Sequence, residues 1–338
     1  MSGDYLEYQA WDTVQAFASS ISGSLATASV LAGVGVGDSE ATALAATTTW
    51  ILKDGAGMLG RIVFAAYSGT SLDFDCKRWR MFADIMNDLV MMVELLAGVL
   101  PKELVMPTLC MAGVGRSLVG VAGGATKAAV AQHQARRQNM ADLAAKDGSQ
   151  ETVVNLLALC VNLVLLPLAS GTPHLPFVLF LALAVLHIYS NYRAVSCLVI
   201  NTLNLARLNM VLDRYRETGM VGTVLETNRT ETVMMPVGSG CVNVELGISL
   251  KSLSRQEVER LEVMVHNEEP YLLLKREENA KLVVSSLATP RDVYRGYIEG
   301  YLGTDSISAD VITKLESAGW DLDTLALSTK GFILQVEN

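Results

Sequence analysis

Between Thr152 and Tyr192 the chain carries no Asp, Glu, Lys or Arg, and Leu, Val, Ala and Phe dominate, with a break only from Pro167 to Pro176. A helix needs about 20 mainly apolar residues to cross a hydrocarbon core of about 30 Å. The run is therefore long enough for two spans joined by the turn Ser170-Gly171-Thr172-Pro173-His174. Lipid offers no partner to an unpaired peptide group, which makes both spans helices. Bases at Arg136, Arg137, Lys146 and Arg193 flank the outer ends of this hairpin, while the turn has none. The positive-inside rule then places the outer ends and the C-terminal region on the cytosolic or matrix-like side. An integral membrane location is expected, with the lipid bilayer as the first partner.

Composition agrees and narrows the function classes. Only 18% of the 338 residues are charged, against a usual share of about 25% in soluble domains. The formal net charge of −9 offers no basic field for phosphates, which argues against nucleic acid as a partner. Cys76, Cys110, Cys160, Cys197 and Cys241 lack CxxC spacing, and three lie in apolar runs, so they read as reduced core thiols. His133, His174, His187 and His266 show no paired spacing, and neither a metal nor another cofactor is expected. Met1 to Asp12 carry acids and no base, so any targeting signal is expected to be internal or upstream.

Ahead of the hairpin, Thr13 to Gly37 is uncharged and rich in Ser, Ala and Gly, with a GxxxG step from Gly33 to Gly37. Small residues allow close helix approach in lipid, so a tightly packed helix or a re-entrant pair is expected. Gly55, Gly57 and Gly60 match GxGxxG formally, yet no clear strand precedes them and no βαβ alternation follows. A nucleotide loop is not the expected reading.

Asp73 to Arg80 is a polar interruption, after which a helix begins. At about 100° per residue, Arg80, Asp84, Asn87, Asp88 and Glu94 share one arc, opposite Phe82, Ile85, Leu89, Val93 and Leu96. This acidic stripe either wets an outer face or points into a bundle, where ionisable groups pair or line a pathway. Gly113, Arg116, Gly120, Gly124, Lys127 and Ala131 form a second stripe that sets two cations among small residues. Arg116 and Lys127 either pair with Asp84, Asp88 or Glu94 between helices, or border a polar cavity for a small anionic ligand. His133 to Glu151 is polar, and Ser149-Gln150-Glu151-Thr152 reads as the start of the first hairpin helix.

The expected fold is mainly α: a multi-helix membrane-embedded core with small-residue helix packing over residues 1–218, followed by a small soluble α+β domain over 219–338. In that domain Ser254-Arg255-Gln256-Glu257 is a capping box, Tyr271 to Leu274 and Leu282 to Leu287 read as strands, and Thr289-Pro290 starts a helix. A further helix is expected from about Ser308 to Gly319, and a final strand over Phe332 to Val336. Asn228-Arg229-Thr230 is a glycosylation sequon that the expected sidedness leaves unused.

Several of these stretches resemble the root UVB-sensitive (RUS) family, in particular its animal branch. The residues that carry the resemblance are Trp50 to Gly55 with Gly60-Arg61, Lys77 to Arg80 with Ala83-Asp84, Val121 to Thr126, Asn139 to Asp142, Ala145 to Glu151 and His187 to Ala194. It covers roughly Tyr5 to Arg216. The resemblance implies a membrane-associated protein whose core domain has no defined biochemical activity; plant members are tied to seedling development, UV-B responses and vitamin B6 homeostasis, and two act as a pair. It transfers no active site.

Lys53, Asp54, Arg61, Arg78, Arg80, Asp84, Asp88, Arg116, Lys127, Asn139, Asp142 and Lys146 are the candidate polar or ligand-facing residues, because they set charge and hydrogen-bonding capacity among Gly and Ala. No nucleophile with a base, metal cluster or phosphate loop stands in a fitting context, so catalysis is not expected. A scaffold or assembly subunit, binding a protein partner or forming a homo- or hetero-oligomer, is the favoured reading. The alternative is a carrier or sensor for a small anionic metabolite, related to vitamin B6 through the resemblance alone.

Overall fold

The computed structural model describes residues 1–36, 43–68, 71–172, 174–234, 243–248, 251, 253–275, 279–303 and 305–327. The chain divides into two compact units, Met1–Leu198 and Val199–Asn338. The first is all helical: α1 (Tyr5–Gly33), α2 (Ala43–Ser68), α3 (Ser71–Phe74), α4 (Cys76–Leu96), α5 (Lys102–Gln134), α6 (Met140–Ser170) and α7 (Leu175–Cys197). Of these, α1, α5, α6 and α7 are long and apolar enough to cross a membrane. The expected hairpin is present as α6 and α7, with Pro173 of its turn outside the described residues.

The structure decides one open alternative, agrees with the reading of the glycine motif and corrects one helix start. The re-entrant alternative for Thr13 to Gly37 gives way to one continuous helix that begins at Tyr5. Gly33 nevertheless has the packing role expected of it, since a methyl there would lie 2.6 Å from the Ala97 carbonyl oxygen; Gly37 lies outside the described residues. Gly55, Gly57 and Gly60 sit inside α2 and form no loop. Gly57 and Gly60 supply close approach, since methyls there would lie 3.0 Å from the Gly113 carbonyl oxygen and 2.8 Å from Ser117 Oγ of α5, while Gly55 faces open space. The first hairpin helix starts at Met140 rather than near Ser149, after Asn139 at the N-cap position and with Asp142 in its first turn. Ala and Leu between the polar residues of that stretch favour helix, and Asp147 and Gln150 find partners on α1.

The helical unit is polar on part of its inside and apolar outside. Asp84, Asp88 and Glu94 of α4 are buried, while Phe82, Leu89 and Leu96 on the opposite face are exposed. The acidic stripe therefore points into the bundle. Along α6 and α7, Leu156, Leu163, Val164, Leu168, Val178 and Val185 face outward, whereas Asn162, His187, Ser190 and Asn191 are buried.

The second unit has the arrangement usual in water. It contains β1 (Thr202–Asn204), α8 (Leu205–Thr218), α9 (Val224–Thr230), β2 (Asn243–Leu246), α10 (Arg255–His266), β3 (Tyr271–Lys275), β4 (Asn279–Val284), α11 (Pro290–Leu302), α12 (Asp305–Ser317) and β5 (Asp321–Ala326). Strands β1 and β5 pair in parallel, and β2, β4 and β3 form a second sheet in that order, parallel then antiparallel. Strand β4 ends three residues earlier than expected, and the expected strand at Phe332 to Val336 lies outside the described residues. Both expected helix starts are capping boxes, at Ser254/Glu257 and at Thr289/Asp292. The core gathers Leu203, Leu208, Leu282, Tyr294, Tyr297, Tyr301 and Trp320. Burial pushes the Tyr294 hydroxyl up to about 12, and it ties the parallel pair together, donating toward Leu203 O at 3.0 Å and accepting from Ala326 N at 3.1 Å. Asn228, the sequon residue, is buried and its Nδ2 donates to Ile200 O and Val224 O, so the acceptor nitrogen is committed inside the fold.

Candidate functional site

The polar residues of the helical unit fall into three groups. In the first, Glu94 of α4 receives Lys53 of α2 at 3.1 Å and both Nε and Nη2 of Arg116 on α5, while Arg116 Nη1 donates to Asn87 Oδ1 at 2.9 Å. Two cations thus converge on one buried carboxylate, and the Asn87 amide oxygen holds one of them, Arg116, in place. Such a charge in the interior is tolerated only when paired and hydrogen-bonded, and these contacts cross-link α2, α4 and α5.

The second group lies between α1, α4 and α7. Gln15 Nε2 is 2.5 Å from Asp84 Oδ2 and 3.3 Å from His187 Nε2, and His187 Nδ1 is 2.9 Å from the Asp88 carboxylate. Gln15, Asp84, Asp88 and His187 are all buried.

The third group lines a cavity of about 270 Å³ between α1, α4, α5 and α6. Its wall includes Tyr8, Gln9, Asp12 and Gln15 from α1, Arg80 from α4, Lys127 and Gln134 from α5, and Asp147, Gln150 and Glu151 from α6. Arg80 pairs with Asp12 at 3.1 Å and Lys127 with Glu151 at 2.9 Å. Asp147 Oδ1 accepts from Gln9 Nε2 at 2.7 Å and from Tyr5 at 3.2 Å. Three side chains of this wall also keep a fully buried atom, Gln9 Oε1, Arg80 Nε and Gln134 Nε2, with no hydrogen-bond partner among the described residues, and an unmade buried donor or acceptor costs about 1–3 kcal/mol.

The cavity brings together two of the sequence candidates, Arg80 and Lys127. Asp84 and Asp88 stand behind its wall, and Lys53 and Arg116 belong to the Glu94 cluster. The expectation that Arg116 pairs with the α4 stripe holds, but Lys127 meets Glu151, on the neighbouring helix α6, rather than any acid of α4. Asp54 and Arg61 are exposed on α2, Arg78 is half-buried, Asn139 accepts from Arg137 N at the start of α6, and Asp142 and Lys146 pair with each other on its surface at 3.7 Å. Sequence reasoning missed Gln9, Gln15 and Gln134. A signal was present in α1: Tyr8, Asp12, Gln15, Ser19 and Ser22 recur at three- and four-residue steps on an otherwise apolar helix. Among the described residues no group of three or more His, Cys, Asp or Glu is arranged to hold a metal ion.

Residues 1–219 match the family described as Vitamin B6 photo-protection and homoeostasis domain, and residues 220–304 match Root UVB sensitive protein, C-terminal. The chain is 34% identical to Protein root UVB sensitive 3 of Arabidopsis thaliana, over 95% of its own length and 80% of that protein. It is 40% identical to RUS family member 1 of Dictyostelium discoideum, over 73% of its length and 47% of that relative. Protein root UVB sensitive 2, chloroplastic, of Arabidopsis thaliana is 29% identical over 87% of this chain and 67% of that protein. No solved structure matches.

Proposed function

The chain belongs to the root UVB sensitive family, and from that premise we propose that its helical unit is an integral membrane binding unit, acting as carrier or sensor for a small charged metabolite held in the cavity between α1, α4, α5 and α6. The observation that carries the reading is a cavity walled by charged side chains of both signs from four helices, Arg80 and Lys127 with Asp12, Asp147 and Glu151. Such a wall suits a guest with an anionic group and, beside it, a hydroxyl or ammonium donor. About 270 Å³ suits a single-ring solute, just below the usual range of about 300–1,000 Å³ for ligand pockets. The family description names vitamin B6, and the B6 vitamers, pyridine rings with a phenolic oxygen and hydroxyl, amine or phosphate arms, have that chemistry. Outward Leu and Val on α6 and α7 support embedding in lipid, and the bases flanking the hairpin support its outer ends on the cytosolic or matrix-like side.

The assembly-subunit reading has separate support in the exposed apolar residues Ile51, Met58, Leu59, Ile62 and Val63 of α2, which suit lipid or a partner helix. The two roles are compatible. For the binding role the test is equilibrium binding of pyridoxine, pyridoxamine and pyridoxal 5′-phosphate to the full chain in lipid nanodiscs, comparing wild type with Lys127→Met. Lys127 is half exposed in its pair with Glu151, and losing such an exposed pair costs at most about 1 kcal/mol of stability. Affinity is expected to fall about tenfold or more, the equivalent of about 1.4 kcal/mol. Equal affinity in the two proteins, or no binding of any vitamer, rejects the reading.

A further inference from the structure

Arg193 is the first charged residue after the uncharged run that begins at Thr152, and it closes the outward face of α7. Val178, Leu181, Val185 and Tyr189 follow one another on that face at three- and four-residue steps, and all are exposed. The stretch from Val178 to Tyr189, at about 1.5 Å per residue, spans about 16 Å, half of a hydrocarbon core of about 30 Å. The stripe thus has the depth of one leaflet. At its end the Arg193 guanidinium lies 4.7 Å from the centre of the Trp11 ring on α1 and donates from Nη1 to the Tyr189 hydroxyl at 3.2 Å, while the Trp11 and Tyr189 rings meet edge to face at 5.8 Å. Because the Tyr189 oxygen accepts from Arg193, its own hydrogen is directed elsewhere. Arg193 makes no ion pair among the described residues.

Tryptophan and tyrosine collect where a helix leaves hydrocarbon for water, and an arginine stacked on an indole keeps its remaining N–H groups for an anion. At that depth the anion on offer is the phosphodiester of a phospholipid. One turn before Trp11 on α1 stands Glu7, exposed and also without an ion pair among the described residues; it lies within electrostatic reach of Cys197, one turn beyond Arg193 on α7. A cation and an anion thus flank the α1/α7 seam one turn apart without meeting. That spacing, about 5.4 Å, matches a headgroup in which two carbons separate phosphate from amine. We propose that Arg193, Tyr189, Trp11 and Glu7 form a binding site for one phospholipid with an ethanolamine headgroup. The phosphate lies on the guanidinium and the Tyr189 hydroxyl, the ammonium on Glu7, and one acyl chain along Val185, Leu181 and Val178. A headgroup without the amine leaves Glu7 opposite a phosphate, and a trimethylated amine has no N–H to donate to it. The inference rests on the membrane part of the reading above and is independent of the cavity.

The experiment is native mass spectrometry of the detergent-purified full chain with dioleoyl phosphatidylethanolamine, phosphatidylcholine or phosphatidylglycerol added at equal concentration, in wild type, Arg193→Gln and Glu7→Gln. Both variants change side chains that are at least partly exposed and hold no ion pair, so they are expected to fold as wild type does. Wild type is expected to hold phosphatidylethanolamine about tenfold more tightly than either other lipid, the worth of one hydrogen bond to a charged group. Arg193→Gln weakens all three by about tenfold or more on the same scale. Glu7→Gln abolishes the preference, bringing phosphatidylethanolamine down to the level of phosphatidylcholine. Equal wild-type affinity for the three lipids, or a preference that survives Glu7→Gln, overturns the site. Displacement of the lipid by phosphoethanolamine at a similar concentration overturns it as well, since the acyl stripe then contributes nothing. A chain released as soluble by carbonate sinks the membrane reading and the site together, whereas a chain retained in membranes but without the preference sinks the site alone.

Discussion

In the helical unit Glu94 is 3% exposed and Leu163 is 70% exposed; in the C-terminal unit Leu282 is 0% exposed while Arg255 and Glu259 stand in solvent. The same residue types are sorted in opposite directions within one chain. Water rewards burying apolar area, and the C-terminal unit does this with a row of tyrosines and aliphatics. In the membrane reading a hydrocarbon surround gives no such reward, and the helical unit adds to its apolar clusters, such as Leu25, Met91 and Phe180, what lipid cannot satisfy: hydrogen bonds, paired charges and close contacts at glycine. In that unit polarity is part of the cohesion. In the other it is mostly the interface with solvent.

The sharpest way to break that contrast is at its exception, the ion pair of Arg207 and Glu231 inside the C-terminal unit, whose side chains are 1% and 2% exposed and meet at 3.1 Å. Glu231→Ala leaves a buried guanidinium without its counter-charge and is expected to destabilise this unit by about 3–5 kcal/mol. Amide hydrogen exchange along α8 in the full chain reads the loss. A change within about 0.5 kcal/mol, the level of ordinary surface substitutions, would mean that polarity inside this unit is as dispensable as the contrast implies for its outside.

The second way compares the outer faces directly. Leu163→Lys on α6 and Val263→Lys on α10 both replace an exposed apolar side chain. A lysine near the middle of a membrane helix costs about 2.5–3.5 kcal/mol, so Leu163→Lys is expected to reduce the fraction recovered in membranes, while Val263→Lys changes neither insertion nor melting appreciably. Equal behaviour of the two variants in a carbonate-extraction assay removes the membrane reading of the helical unit.

The smallest effect sharpens the water-facing side. The backbone N–H of Thr223 in the α9 capping box, followed by Arg214, holds Glu226 below the usual carboxylate range. A carboxyl lowered in the folded state contributes stability that is complete above its unfolded value, about 4.3, and is lost as pH falls through the lower folded value. Glu226→Gln is therefore expected to melt slightly below wild type at neutral pH and to converge with it in acid. A difference that persists in acid would assign the effect to shape rather than charge.

What the residues disclosed, and what they withheld, follows the same division. The hairpin was legible because forty-odd uncharged positions admit few folds, and the α4 stripe because five polar side chains fall on one arc of a helix. Its direction was not legible: period alone does not say whether a polar arc faces water or a bundle, and only the partners Gln15, Lys53, Arg116 and His187 decide it. The cavity was hidden for a related reason. Among its groups are glutamines, uncharged and unremarkable in a list of residues, and their place on the wall emerges only in three dimensions. Lys127 was found for its charge, yet the partner expected for it was on the wrong helix, since spacing along α5 does not tell which neighbour a long side chain reaches.

Helix α4 carries one more consequence, in the making of the protein rather than its use. In the membrane reading, a segment with Arg80, Asp84, Asp88 and Glu94 on one face cannot settle in lipid by itself. When it leaves the ribosome, its partners Asp12, Gln15 and Lys53 have been made, but Arg116 on α5 and His187 on α7 have not. In that reading its stable entry depends on the two that follow. Helix α1, made first, packs against α7, made last of the bundle, so the N-terminus has to be kept from wrong partners until the seventh helix arrives. In the membrane reading, biogenesis of this bundle is a closing ring rather than a succession of independent insertions, and a truncation that removes α7 is expected to leave α4 without His187 as a partner for Asp88.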